Sequence, residues 1–252
     1  MHNAEEFLEW RNKQAIKITG DIDHYSSGLN WMNNAVRLDY SYMFEWLGVP
    51  VIQFPGDLLL IQEAIVSANV SKVIEVGIAR GGTTIFIASI LNMLGKKEQT
   101  NVIGVDISIS NHTRDAILNS RFANQIRLIE GDSVYESTFR KVSQEILDSD
   151  RVLIILDSNH SMDHVYKEMN LYSELVSEHS YLIVMDTAIE FLEPSVIGDD
   201  KPWGKGDNPD TAIKKFMTLE GQRFELDQKF DYRSFPGAAK GGFLKRKSSR
   251  IQ

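Results

Sequence analysis

Five short apolar runs mark the middle of the chain, and glycines or acids stand at their ends. They are Val73-Ile74-Glu75-Val76, Val102-Ile103-Gly104-Val105-Asp106, Ile126-Arg127-Leu128-Ile129-Glu130, Val152-Leu153-Ile154-Ile155-Leu156-Asp157 and Tyr181-Leu182-Ile183-Val184-Met185-Asp186. Near-continuous, β-branched runs of this length suit strands buried on both faces. Segments with helical spacing separate them. Thr84, Ile87, Ala88, Leu91 and Leu94 share one helix face; Val134, Phe139, Val142, Ile146 and Leu147 a second; Val165, Met169, Tyr172 and Val176 a third. Such alternation predicts an α/β fold, a doubly wound and mostly parallel sheet with helices on both sides. A ligand then sits beyond the carboxyl ends of the strands. Glu75, Asp106, Asp132, Asp157 and Asp186 all fall at or near those ends.

The flanks read differently. Residues 1–70 form a helical, aromatic-rich extension and lid, and residues 71–247 the ligand-binding α/β domain. Pro55-Gly56-Asp57 opens a helix running to Ala68. The aromatics Tyr25, Trp31, Tyr40, Tyr42 and Trp46 suit three roles: cover for a bound acceptor, core packing, or contact in a homo-oligomer. Residues Phe191 to Asn208 form a loop containing Trp203, and Asn208-Pro209-Asp210 is a helix start. Gly241 to Arg246 is a closing strand, and Lys247 to Gln252 a frayed end.

Composition narrows the classes. The chain has 252 residues, 42% hydrophobic and 25% charged, which is ordinary globular usage. A formal net charge of −8 disfavours a duplex nucleic-acid partner. The absence of cysteine excludes disulfides, zinc-thiolate sites and thiol nucleophiles. The acidic start Met1 to Glu6 lacks the apolar core of a secretory signal, and no run is long enough to span a bilayer. These features predict a cytoplasmic protein with no membrane span.

Candidate chemistry begins at Gly77-x-x-x-Gly81-Gly82, directly after the first strand. Glycines there permit a sharp turn and close approach of a ligand. Position 79 is Ala79, so the dinucleotide fingerprint G-x-G-x-x-G is not met. A looser turn suits a nucleoside carrying an amino-acid tail rather than a pyrophosphate. Glu75, Gly77, Arg80, Gly81 and Gly82 make up that part of the site, with Glu75 accepting from the tail or from nearby amides. Asp106, about 30 residues beyond the turn, stands where nucleotide folds place a ribose-binding acid. Asp132 and Ser133, after the third strand, can reach the adenine edge.

A second constellation follows the fourth and fifth strands. Asp157-Ser158-Asn159-His160 and Asp186-Thr187 place two carboxylates and an imidazole on neighbouring strand ends. Two carboxylates can hold Mg²⁺ or Ca²⁺, and His160 is suited to remove a hydroxyl proton. The same acids also serve as helix caps in many folds. His164, inside the next helix, reads as a supporting residue.

These segments resemble the cephalosporin hydroxylase / rhamnosyl O-methyltransferase family of class I S-adenosylmethionine (SAM)-dependent methyltransferases. The matching pieces are Gln62-Glu63, Glu75 to Gly82, Val105-Asp106-Ile107, Leu156 to His160, His164, Asp186-Thr187, Pro202-Trp203-Gly204 with Asn208-Pro209, and Gly242 to Arg246. The resemblance spans residues 45 to 247. It implies a Rossmann-like SAM-binding sheet and Mg²⁺-assisted methylation of a hydroxyl on a small-molecule or glycan acceptor. It also implies Asp157 and Asp186 as metal ligands, and His160, with Asp157, as the catalytic pair. Related macrolide-sugar methyltransferases carry an acid just before the second metal aspartate; here Met185 stands there. Three other readings compete: a metal-dependent oxygenase or hydroxylase, a non-catalytic SAM-binding module, and a nicotinamide oxidoreductase, the last disfavoured by the glycine spacing.

Overall fold

The computed structural model describes residues 3–96, 100–198 and 200–248. Two helices open the chain, α1 (Ala4–Thr19) and α2 (Ile22–Arg37). Each starts on a side-chain cap: Asn3 accepts the Glu6 N–H and Asp21 the His24 N–H. A small hairpin follows, β1 (Phe44–Trp46) and β2 (Val49–Val51), turning through Leu47 and Gly48 at positive φ. The helical reading of residues 1–70 misses this hairpin, because three-residue strands carry almost no period-two signal. Helix α3 (Pro55–Ser67) then starts with its proline in the first turn.

Strand–helix alternation takes over: β3 (Lys72–Val76), α4 (Gly82–Met93), β4 (Val102–Asp106), α5 (Asn111–Leu118), β5 (Ile126–Glu130), α6 (Glu136–Ser143), β6 (Val152–Leu156), α7 (Met162–Tyr172) and β7 (Tyr181–Val184). The chain closes with α8 (Pro194–Ile197), α9 (Pro209–Glu220), β8 (Phe224–Leu226), α10 (Gln228–Asp231) and β9 (Phe243–Arg246). Among the described residues, seven strands form the main sheet in the order β5-β4-β3-β6-β7-β9-β8. The strands from β5 to β7 are parallel, whereas β9 runs antiparallel to both β7 and β8. The predicted doubly wound, mostly parallel α/β sheet is therefore present. Strand β8 is absent from the sequence reading, again because it is three residues long.

Strands β3, β6 and β7 are buried along their whole length, as continuous apolar runs require. Strand β5 is not. It forms the sheet edge, with Arg127 and Glu130 exposed, so its two charges fit an edge rather than an interior place. Strand alternation sends Val73, Leu153, Ile155 and Ile183 to one face, where α3 and α4 cover them with Leu60, Ile61, Ile65, Phe86 and Leu91. Ile74, Ile103, Ile154 and Leu182 point to the other face, under α6, α7 and α9. Residues of α3 thus share one core with the sheet across position 70/71.

Lys72 is buried at the start of β3 and pairs at 2.7 Å with Asp150, whose side chain is 6% exposed. Beyond α9, Asn208 completes a reciprocal capping box with Thr211. The predicted helix faces overrun the helices: Leu94, Leu147 and Val176 lie past the ends of α4, α6 and α7. Of the end read as frayed, Lys247 donates its N–H to the Arg223 carbonyl at 2.8 Å, and the part from residue 249 lies outside the described residues.

Candidate active site

Connections from β3 through β4 to β5 run one way across the sheet, and those from β6 to β7 the other. The crevice at this reversal, between the ends of β3 and β6, is where ligands bind in open α/β sheets. Here the two chain segments almost touch. A Cβ on Gly77 would lie 2.0 Å from the Asp157 carbonyl oxygen, and Gly77 has φ +90. Gly82 serves another contact: its Cβ would lie 2.2 Å from the Pro50 carbonyl oxygen in β2. Gly81, at φ +84, faces the Ile117 side chain. The glycines thus let chain approach chain. Ala79 takes a left-handed φ of +45, so the backbone there bends as a glycine would although the side chain is present. Arg80 is exposed and lies outside the cavity wall.

A cavity of about 290 Å³ opens at the crevice, its wall including Gly77, Asp106, Asp132, Ser133, Asp157, His164 and Trp203. Asp106 turns onto the glycine turn: Oδ2 accepts the N–H groups of Ile78 at 3.1 Å and Ala79 at 3.2 Å. Its Oδ1 accepts from Ser108 N–H. Asp132 accepts the Val134 N–H at 3.1 Å. Glu75 lies beneath this wall rather than in it. It is buried, accepts the Thr84 hydroxyl at 2.5 Å, and is pushed up to about 8 by burial.

Asp157, His160 and Asp186 converge beside the cavity, with one ligand-type atom of each within 4.8 Å of the others. His160 Nε2 stands 3.4 Å from Asp186 Oδ2, and the Trp203 and imidazole rings pack nearly perpendicular with centres 5.0 Å apart. Asp186 holds this place at φ +55, a conformation Asp tolerates better than most residues. Burial, then the neighbouring charges of Asp186 and Glu75, raises the Asp157 pKa well above its ordinary range. Carboxylates crowded this way repel, and a hard dication relieves that repulsion, so the donor set fits Mg²⁺. Met185 is buried in the core beside Ile183 and points away from the cluster.

Three polar residues here were not singled out from the sequence. Gln53, buried just after β2, donates through Nε2 to Asp157 Oδ2 at 2.6 Å. Nothing local signals this contact, because the partners lie 104 positions apart. Asp57 in α3 accepts the Ala238 N–H at 2.8 Å and is raised to about 7, chiefly by burial. Glu168 is fully buried behind the cavity wall, accepting from the hydroxyls of Ser133 and, at 2.6 Å, Ser158. It also sits 3.2 Å from His164 Nε2. Burial works to lower the His164 pKa, but the Glu168 hydrogen bond and charge outweigh it and raise the value. A signal for Glu168 exists: it shares the helical face of Val165, Met169 and Tyr172, so an acid falls on the apolar side of α7. Of the motif residues, Glu63 pairs with Arg233 at 2.8 Å, away from the cavity.

The model of the family Rhamnosyl O-methyltransferase/CmcI matches residues 38–247. The chain belongs to this family. Among relatives, the rhamnosyl O-methyltransferase of Mycobacterium leprae is 30% identical over 56% of this chain and 59% of that protein. That match spans less than two thirds of the leprae enzyme. The rhamnosyl O-methyltransferase of Mycobacterium tuberculosis is 26% identical over 80% of this chain and 77% of its own length. Among solved structures, an apo form of CmcI aligns with TM-score 0.61 at 17% identity, covering 82% of this chain and 78% of that one. A Mg–SAM form of CmcI aligns with TM-score 0.59 at 16% identity, covering 82% and 78%. At these identities the structures establish a shared fold, the SAM-methyltransferase α/β sheet seen in this family member. Among the described residues, no helix is long and apolar enough to cross a membrane.

Proposed function

We propose that this family member transfers a methyl group from SAM to a hydroxyl of a sugar or glycoconjugate, assisted by Mg²⁺. The observation that carries the reading is the junction of the two sites: Asp157 belongs both to the cavity wall and to the cluster with His160 and Asp186. A donor bound along Asp106, Asp132 and Ser133 therefore ends beside the groups that would prepare an acceptor. The relatives named rhamnosyl O-methyltransferases point to a rhamnosyl unit as the acceptor class. The same names, with the shared fold, favour methyl transfer over oxygenation.

The roles follow from placement. Asp157 and Asp186 would hold the cation, which supplies positive charge to the oxyanion developing on the acceptor. His160 takes the hydroxyl proton on its imidazole, while Asp186 and Trp203 fix the ring. Asp106 would accept from the ribose hydroxyls once its carboxylate swings off the glycine-turn amides. Gly77 lets that turn lie against Asp157, so donor and acceptor sites share one rigid junction, and alignment for in-line transfer comes from it. The segment ahead of α3, which carries the packed Trp31, Tyr40 and Phe54 rings, would serve as the lid, because α3 itself belongs to the sheet core.

The test is calorimetric titration of SAM into the intact protein, followed by transfer of labelled methyl to a rhamnosyl glycoside with Mg²⁺ or with a chelator. Binding is expected, is lost in Asp106→Ala under conditions where circular dichroism shows that variant still folded, and turnover stops with chelator. An intact protein that does not bind SAM refutes the reading.

A further inference from the structure

Met185 leaves the cation with two protein carboxylates, and the chain brings another oxygen to the same place from an unrelated segment. Gln53 lies between β2 and α3, is 5% exposed, and has its amide 2.6 Å from Asp157 Oδ2. We propose that Gln53 is a ligand of the divalent cation through Oε1, occupying coordination space that an acid at position 185 cannot fill here. The proposal rests on the divalent-cation reading above.

An amide is nearly symmetric in shape, so a half-turn about its last side-chain bond exchanges Nε2 and Oε1 without displacing a neighbour. Without a cation, the N–H toward Asp157 is the favourable orientation, because two oxygens at that separation repel. With a cation beside Asp157 Oδ2, the preference reverses: the positive N–H end of the amide is repelled by the ion, whereas the flipped Oε1 gains a coordination bond. Neighbouring ligands of an octahedral Mg²⁺, bonded at about 2.1 Å, lie about 3.0 Å apart. The observed 2.6 Å needs only a few tenths of an ångström of relaxation to meet that edge. A neutral amide oxygen also adds a ligand without adding charge to a cluster where Asp157, Asp186, Glu75 and Asp57 already interact.

The placement has a second consequence. Phe54, the next residue, contacts the rings of Trp31 and Tyr40. Cation binding would then tie Phe54, and the rings packed on it, to the Asp157 cluster.

The experiment is Mn²⁺ binding to the full chain, followed by electron paramagnetic resonance, with inner-sphere waters counted in isotopically labelled water. Gln53→Ala and the equal-volume Gln53→Met are expected to weaken Mn²⁺ binding by at least the ~10–100-fold that loss of an outer-shell partner costs and to gain one bound water. Gln53→Glu is expected to bind at least as tightly as the parent with the parent water count. Weaker binding at an unchanged water count overturns the proposal, since Gln53 would then only steady Asp157. Unchanged affinity in both uncharged variants, with Asp157→Asn abolishing binding, overturns it while leaving the cation reading intact. A folded parent protein that fails to take up Mn²⁺ overturns both.

Discussion

Gly77→Ala tests the junction between the donor and acceptor sites with one methyl group. The new Cβ would sit 2.0 Å from the Asp157 carbonyl oxygen, 2.5 Å from its carbon and 2.7 Å from Ser158 Cα. All three are backbone atoms, so no side chain can rotate away. Real Cβ contacts essentially never fall under 3.0 Å, so the β3 and β6 ends must part by about an ångström. Overpacking of this kind costs about 1–3 kcal/mol, and the positive φ adds about 1–2 kcal/mol. We therefore expect a loss of roughly 2–5 kcal/mol in urea unfolding. Because the displaced backbone carries Asp157, methyl transfer should fall about 100-fold even where the protein stays folded, as misplacement by an ångström does elsewhere. Gly48→Ala is the control: φ is +82 but no atom lies within 4 Å, so it should lose only the conformational part. If Gly77→Ala matches Gly48→Ala in both stability and activity, the close approach of the two strand ends is not what the site depends on.

The glycine-like backbone at Ala79 makes the reverse substitution favourable: Ala79→Gly should gain about 0.5–1 kcal/mol in urea unfolding, and a loss would refute the strain. Lys72→Met strands Asp150 in the interior and should cost about 3–5 kcal/mol, partly restored by adding Asp150→Leu; an additive double variant would refute the pairing. Glu75, ordinarily near 4.5, is raised to about 8 by burial, so between those values the folded state holds a proton the unfolded chain has released. Stability in the metal- and SAM-free protein should therefore fall as pH rises from 4.5 to 8, by at most about 1.4 kcal/mol per pH unit for this group. Glu75→Gln should flatten that fall while Asp57, raised to about 7, still contributes below its own value; an unchanged slope would refute the burial argument.

The sequence by itself determined the sheet core, because β3, β4, β6 and β7 are so apolar that only burial on both faces accommodates them. It also placed the acids, since the end of a strand is a local property readable from where an apolar run stops. Asp157, His160 and Asp186 could be proposed as neighbours because parallel strands with helical crossovers bring successive strand ends to one edge. Contacts made across the chain were not legible. The hairpin of β1 and β2 and the strand β8 are too short to carry a period, and only the folded structure shows that Gly82 receives Pro50 or that Gly77 receives Asp157. Strand order made β5 an edge, a fact hydrophobicity alone does not encode. Tertiary structure alone decided that Met185 turns into the core while Gln53, from the opposite side of the glycine turn in sequence, reaches Asp157. The physical reason is common to these cases: periodicity reports which face of an element is buried, whereas the partner across that face is chosen by packing of the whole chain.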